Sequence, residues 1–398
     1  MIADVLPIIM KFAPANEYLI YASVCKEFRV AYRRAHPRQV TNTLLPSMNI
    51  FRWLRDTASC PLSSKTFSYY AARNSLPFLQ WLRGIGCPWD EETCHTAASN
   101  GALDILQWAR AEECPWDAWT CCSAAKSGHL DVLAWMRSAR DPCPWDPLTL
   151  VYAALYNRDD IVKWALAQEV PCPWNEFVCA SAARAGNLAL LEWLCRKGCP
   201  VDWRTCAEAA SQGHYSILRW AREIASPPLP WNERTFTNAI HAKKVPLLNW
   251  LRKRACPWDA STCLAAVRTD NLELLQWARA AECPWDARVC ALAAARGNLP
   301  LLQWARRAGC EWDEYTAVNA AKYGWLDVLK WARAQGCPWN EWVCSNAALR
   351  GHLHILQWAL EEARPPCPYD EWLWKKAIIG RQGEITKWLR TKMIFPAL

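Results

Sequence analysis

The chain has 398 residues, 52 % of them hydrophobic, with 46 basic and 38 acidic side chains and a formal net charge of +8. Every long apolar run is broken by Lys, Arg, Asp or Glu well before the roughly 18 residues a membrane span needs, and the basic residues are dispersed, which excludes a polybasic tail. The start lacks a basic stretch followed by an apolar one, so an intracellular protein, cytoplasmic or nuclear and not secreted, is expected.

The first 48 residues do not repeat; Val5, Leu6, Ile9, Met10 and Leu19 precede the string Ser23-Val24-Cys25-Lys26-Glu27-Phe28-Arg29, and a small helical cap is predicted. From residue 49 to 398 a beat sets in. Tryptophans 53, 81, 108, 135, 164, 193, 220, 250, 277, 304, 331, 358 and 388 recur every 27 to 30 residues. Between them runs Cys-Pro-Trp-Asp or a variant, as at Cys87-Pro88-Trp89-Asp90 and Cys283-Pro284-Trp285-Asp286. A period in this range marks stacked units that bury their apolar faces only against each other.

One repeat, taken from Asp90, reads as follows. Asp90 is placed to cap a first helix, and its column holds Ser63 and otherwise only Asp or Asn. Small residues such as Ala97-Ala98 fill that helix's centre, and it ends at a glycine column that includes Gly101, Gly128 and Gly351. Lys243 and Arg381 replace glycine in two repeats, so distorted turns are expected there. A second helix over 103–110 carries the periodic tryptophan, predicted to be core, and the next Cys-Pro stops it. The prediction is an all-α solenoid of stacked helix-turn-helix units: a leading second helix, then about twelve pairs of 27–30 residues. Two longer loops, around 224–230 and 364–368, are expected to absorb the extra residues.

Eleven of the 21 cysteines sit at the corner between repeats and seven more lie seven residues later, where other repeats hold Phe67, Leu150, Phe236, Ala317 or Trp374. A zinc ligand cannot be exchanged for Leu or Phe, whereas a small buried site can be refilled. Equivalent cysteines in neighbouring repeats should stand roughly 8–10 Å apart, beyond the about 7 Å a disulfide tolerates. Structural thiols in a reducing compartment are therefore expected, with no metal and no cofactor. Seven histidines, no Gly-rich phosphate loop and no nucleophile motif argue against an enzyme and against a small-molecule substrate.

The strings Ala124-Ala125-Lys126-Ser127-Gly128-His129-Leu130 and Ala347-Ala348-Leu349-Arg350-Gly351-His352-Leu353 resemble the ankyrin repeat, shortened by six residues in the projecting hairpin. The resemblance is to the Cys-Pro-Trp-type ankyrin arrays of algae, oomycetes and large DNA viruses. The segment 1–48 resembles an F-box that lacks its first anchor, with Leu6, Ile9, Leu19, Val24, Cys25 and Phe28 as the adaptor-docking residues the resemblance implies. Together they imply a non-enzymatic protein-interaction scaffold that recruits substrates to a cullin-type ubiquitin ligase through a Skp-type adaptor, with nucleic acid and membrane set aside. Variable first-helix positions supply the candidate partner-binding residues: Tyr69, His95, Tyr152, Tyr156, Asn238, Arg296, Asn319, Tyr323, Asn346 and Arg350. The alternative is a nucleic-acid-binding solenoid using the arginine found two residues after ten of the thirteen helix tryptophans, such as Arg110, Arg279 and Arg333.

Overall fold

A computed structural model describes residues 64–392. All regular structure among them is helical: 24 α-helices and two short π-helical turns, arranged as twelve antiparallel pairs. The chain forms two compact bodies, one ending at Pro200 and one beginning at Val201. The first holds five described pairs, from Ser64–Ala71 with Leu76–Gly84 to Glu176–Ala185 with Leu188–Arg196. The second holds seven, from Trp203–Gln212 with its partner to Trp372–Ile379 with Gly383–Thr391. Within each body, first helices pack on first helices of the next repeat, the arrangement of a helical-repeat solenoid.

The capping column works as an aspartate or asparagine cap should. The side chains of Asp146, Asn175, Asp259, Asp313, Asn340 and Asp370 each accept the backbone N–H two residues on, and Asp117 forms a full capping box with Thr120. The threonine one residue further, as at Thr120, Thr149, Thr262 and Thr316, is fully buried. First helices end in the left-handed conformation. Lys243 (φ 53°) and Arg381 (φ 54°) adopt it as fully as Gly128 (φ 93°) does, so the turns are not distorted; the strain is carried by the residue itself.

Two expectations about the core change. The periodic tryptophans are not core: Trp108, Trp277 and Trp304 are only half-buried, and of the described members only Trp220 is largely buried. The fully buried layer is made of Ala97, Ala98, Ile105, Leu106, Ala109 and Cys114 and their equivalents. Helices of about nine residues joined by tight turns approach closely through Ala and Cys, which leaves no room for an indole at the centre. Each periodic tryptophan instead meets the indole of the corner motif at the rim. Trp89–Trp108, Trp116–Trp135, Trp285–Trp304 and Trp312–Trp331 have centroids 5.4–6.0 Å apart at 61–67°. The two longer repeats also differ from expectation. Their second helices finish in π turns, Trp220–Ile224 and Trp358–Glu362, so part of the insertion lies in the helix and part in the loop.

The corner cysteines have a specific task. Each thiol donates to the carbonyl of the cap residue that began the same repeat: Cys143 to Asp117 (3.2 Å), Cys172 to Asp146 (3.3 Å), Cys310 to Asp286 (3.4 Å) and Cys283 to Asp259 (3.5 Å). The bond ties a repeat's end to its start, and a thiol is small and apolar enough to be buried while making it. The second cysteine of a repeat lies against the first. The thiol contact with Cys143, with burial added, drives the Cys121 thiol far above the ordinary range. Among the described residues all cysteines are free, and no cluster of three or more His, Cys, Asp or Glu could hold a metal.

Two predictions follow from this packing. Replacing Lys243 or Arg381 by glycine removes the left-handed penalty and should raise stability by about 0.5–1 kcal/mol, visible as a higher melting temperature. Burial pushes the thiols of Cys87, Cys172, Cys206 and Cys256 up to about 12, from a usual value near 9. A raised thiol pKa means that the fold holds the neutral form. Stability is intact while the unfolded chain's thiols are also neutral and is lost as pH rises from about 9 toward 12. Melting under reducing conditions should therefore fall between pH 8 and pH 11, and less steeply in a Cys206→Ala, Cys256→Ala variant.

Candidate nucleic-acid interface

In most repeats the cap side chain fixes the backbone of the residue two positions on; in the repeat that Asp117 starts it bonds Thr120, three positions on. In the body ending at Pro200 the position two past the cap holds Glu92, then Trp119, Leu148 and Phe177, these three 43–45 % exposed. In the second body it holds Arg204, Arg234, Ser261 and Arg288, then Tyr315, Trp342 and Trp372, these aromatics 61 %, 59 % and 48 % exposed. Large aromatics held by a cap and left in solvent are not placed there by burial. Two, six and ten residues past the cap are i, i+4 and i+8, so the three positions share one stripe of the first helix.

Several residues expected from sequence lie on that stripe. Tyr152 packs edge-on against Trp119 with centroids 5.4 Å apart, and Tyr156, 44 % exposed, has the Lys126 ammonium 5.5 Å from its ring. Tyr323 is exposed beside Lys322, and Arg296 and Arg350 are exposed at the same register. Tyr69 carries the guanidinium of Arg73 at 3.9 Å from its centroid. Other members serve the stack. Asn238 and Asn319 donate to the carbonyls of Ala207 and Ala291 in the preceding repeat. His95 is buried, with Nε2 2.6 Å from the cap carboxylate Asp117 and Nδ1 3.3 Å from Glu92. Leu6, Ile9, Leu19, Val24, Cys25 and Phe28 lie outside the described residues.

The clearest concavity on the stripe lies between the last two first helices of the second body. Trp342 and Trp372 line it together with Glu341, Ser345, Asn346, Asp370 and Lys376, in a volume of about 280 Å³. Asn346 donates its amide to the Trp342 carbonyl at 2.9 Å, which leaves its side-chain oxygen as an acceptor. The Ser345 hydroxyl is buried there without a hydrogen-bond partner. Two indoles, an ammonium and uncommitted polar groups on the walls make a slot suited to a flat, hydrogen-bonding ring.

The arginine column is organised differently. Eight of its guanidiniums lie over the corner indoles at 3.9–4.2 Å from the ring centroid: Arg83 on Trp89, Arg110 on Trp116, Arg137 on Trp145, Arg222 on Trp231, Arg252 on Trp258, Arg279 on Trp285, Arg306 on Trp312 and Arg333 on Trp339. Many also donate to the corner cysteine carbonyl, as Arg110 does to Cys114 at 2.6 Å and Arg137 to Cys143 at 2.5 Å. A guanidinium stacked and hydrogen-bonded in this way is a packing element, so phosphate contacts through this column are not its geometry.

The turn histidines are likewise structural. His129 and His352 sit over Gly101 and Gly324 of the preceding repeat and reach the carbonyls of Ser99 and Lys322 at 3.1 and 3.2 Å. Burial holds His352 below its ordinary pKa. The exposed column two past the cap was missed by the sequence reading, although Trp119, Phe177, Tyr315, Trp342 and Trp372 stand at one fixed offset from Asp or Asn in the sequence itself.

No protein-family model matches the chain, and no curated protein sequence is similar to it. Among solved structures it is similar to the pentatricopeptide repeat protein PPR10 from maize, at 12 % identity and a TM-score of 0.35, over 87 % of this chain and 66 % of that one. It is also similar to PPR10 in complex with an 18-nt psaJ RNA element, at 13 % identity and a TM-score of 0.40, over 99 % of this chain and 64 % of that one. The chain thus spans just under two thirds of the length of those structures.

These findings correct the ankyrin reading: no family model matches, and the solved structures named above are of a pentatricopeptide repeat protein. The physical reason is plain in the fold. Paired alanines, a left-handed glycine and a polar turn residue are what any stack of short antiparallel helix pairs requires, so they do not single out one family. The F-box, the Skp-type adaptor and the ubiquitin-ligase role are corrected with it, as is the setting aside of nucleic acid: no F-box model matches, and a structure found holds RNA.

The cap bond that fixes the exposed column can be tested directly. Asn340→Ala removes the acceptor for the Trp342 N–H and should cost about 1 kcal/mol, read by chemical denaturation. Asn340→Asp should restore it.

Proposed function

We propose that this protein is a non-enzymatic binder of single-stranded nucleic acid. In this reading, bases stack on the aromatic residues Trp119, Phe177, Tyr315, Trp342 and Trp372, each two positions past a first-helix cap. The observation that carries it is the slot between Trp342 and Trp372, two exposed indoles flanking Asn346, Lys376 and an unpaired buried Ser345 hydroxyl. Every base offers a π-face, and stacking on an aromatic side chain is worth about 1–3 kcal/mol per base without demanding a sequence. Glu341 and Asp370 on the walls can accept from exocyclic amines. The net charge of +8 and lysines beside the exposed tyrosines favour a polyanion.

The stacked arginine column is not assigned phosphate contacts. The proposal includes an intracellular, reducing location, which suits buried free thiols, and a separate segment 1–48 ahead of the repeats of 49–398. No helix among the described residues is long and apolar enough to cross a membrane.

The test is fluorescence anisotropy with labelled 20-nucleotide RNA and DNA of mixed sequence. Trp342→Ala and Trp372→Ala should each weaken binding by about 5- to 100-fold while circular dichroism is unchanged. Affinity should also fall with added salt. Full affinity in the double variant, or no binding by the intact chain, would sink the reading.

A further inference from the structure

The arginine column is interrupted at Leu166, Cys195 and Leu360, and only beside Leu166 does the following corner still hold a tryptophan, since the other two hold Val201 and Tyr369. Two residues after Trp164 the arginine column holds Leu166, so no guanidinium covers the corner indole of Trp174. Elsewhere eight corner indoles carry both a stacked arginine and a ring partner from the second helix. Among the described residues Trp174 is the one corner tryptophan with neither. The Cys172 carbonyl, equivalent to those of Cys114 and Cys143, lacks the guanidinium donor that they receive. A cleft of about 410 Å³ opens at this place, within the body that ends at Pro200. Its walls include Lys163, Leu166, Cys172, Trp174, Trp193 and Lys197.

We propose that this cleft binds an arginine residue of a partner polypeptide, one that carries a carboxylate next to its guanidinium, as a C-terminal arginine does. The chain itself shows what fits. A planar cation over the indole, donating in its own plane to the corner carbonyl, is the arrangement built in cis at the other corners. The guanidinium from outside would take the place that Leu166 leaves, with the Trp174 face and the Cys172 carbonyl as its two contacts.

A bare cation would meet two ammonium groups, those of Lys163 and Lys197, the latter 5.8 Å from the Trp193 centroid. A carboxylate on the same residue turns that repulsion into attraction. The Leu166 side chain offers the ligand's methylenes an apolar wall. This site lies apart from the stripe of exposed aromatics and does not depend on nucleic-acid binding.

The probes are Nα-acetyl-arginine, its methyl ester and Nα-acetyl-lysine, titrated into the full chain and followed by ligand-observed NMR. Saturable binding of acetyl-arginine is expected. Loss of the carboxylate in the ester should weaken it about 5-fold, and acetyl-lysine, which lacks the planar fork, about 10-fold or more. Leu166→Arg rebuilds the missing stack in cis and should abolish binding without lowering the melting temperature. Lys163→Ala with Lys197→Ala should erase the difference between acid and ester, and it keeps the proposal testable if the arginine variant folds poorly. An intact chain that gives no saturable response, or equal binding by Leu166→Arg, overturns the proposal. Neither result bears on oligonucleotide affinity, so the two readings fail separately.

Discussion

The cap residue's carbonyl, met by a corner thiol in each cysteine-cornered repeat, governs this architecture. The Asp or Asn that caps a first helix uses its side chain on the helix and turns its own C=O toward the next corner, where the Cys143, Cys283 and Cys310 thiols and their equivalents meet it. Serine would make a stronger bond there but would bring a second polar atom into an apolar layer. Alanine would leave the carbonyl unmet. Cysteine satisfies both demands, which explains why so many thiols occur in a chain that forms no disulfide among its described residues.

Around that bond the corner assembles in a fixed order. The second helix ends at a left-handed residue ahead of the corner, as at Glu113, Glu282 and Gly309, the corner tryptophan packs at the rim against the tryptophan of that helix, and an arginine stacks on it while reaching the cysteine carbonyl. The cap then holds the backbone two residues on. Burial thus consumes the corner residues and leaves the residue past the cap free to vary. Framework and candidate interface are adjacent in sequence yet physically separate, because one faces the corner and the other faces solvent. A repeat protein can change the second without disturbing the first.

The exception at Trp174 illustrates the same logic. Where the arginine is lost, the rim does not close over the gap, and a cleft remains. Leucine cannot substitute for a flat, donating cation, so the position is incomplete in a way that a neighbouring volume of apolar side chains cannot repair. The cysteine, cap and glycine positions of that repeat are unaffected: Cys172 still reaches Asp146, and Asn175 still caps its helix.

The sequence by itself determined the repeat length, the helix pairs and their caps, because a proline, a left-handed turn residue and an Asp or Asn act through local backbone geometry. It also supplied the stripe residues Tyr152, Tyr156, Tyr323 and Asn346, since variable positions against a fixed frame are visible as letters. Only the tertiary structure decided that the periodic tryptophans belong to the rim and the alanines and cysteines to the core. The separation between helices, which a periodicity cannot express, selects small side chains for the centre. The tertiary structure also decided that the arginine column is stacked, that His95 bridges to a neighbouring cap, and that two indoles thirty residues apart form one slot. Each of these rests on a distance between repeats, and such distances are fixed only when the helices pack.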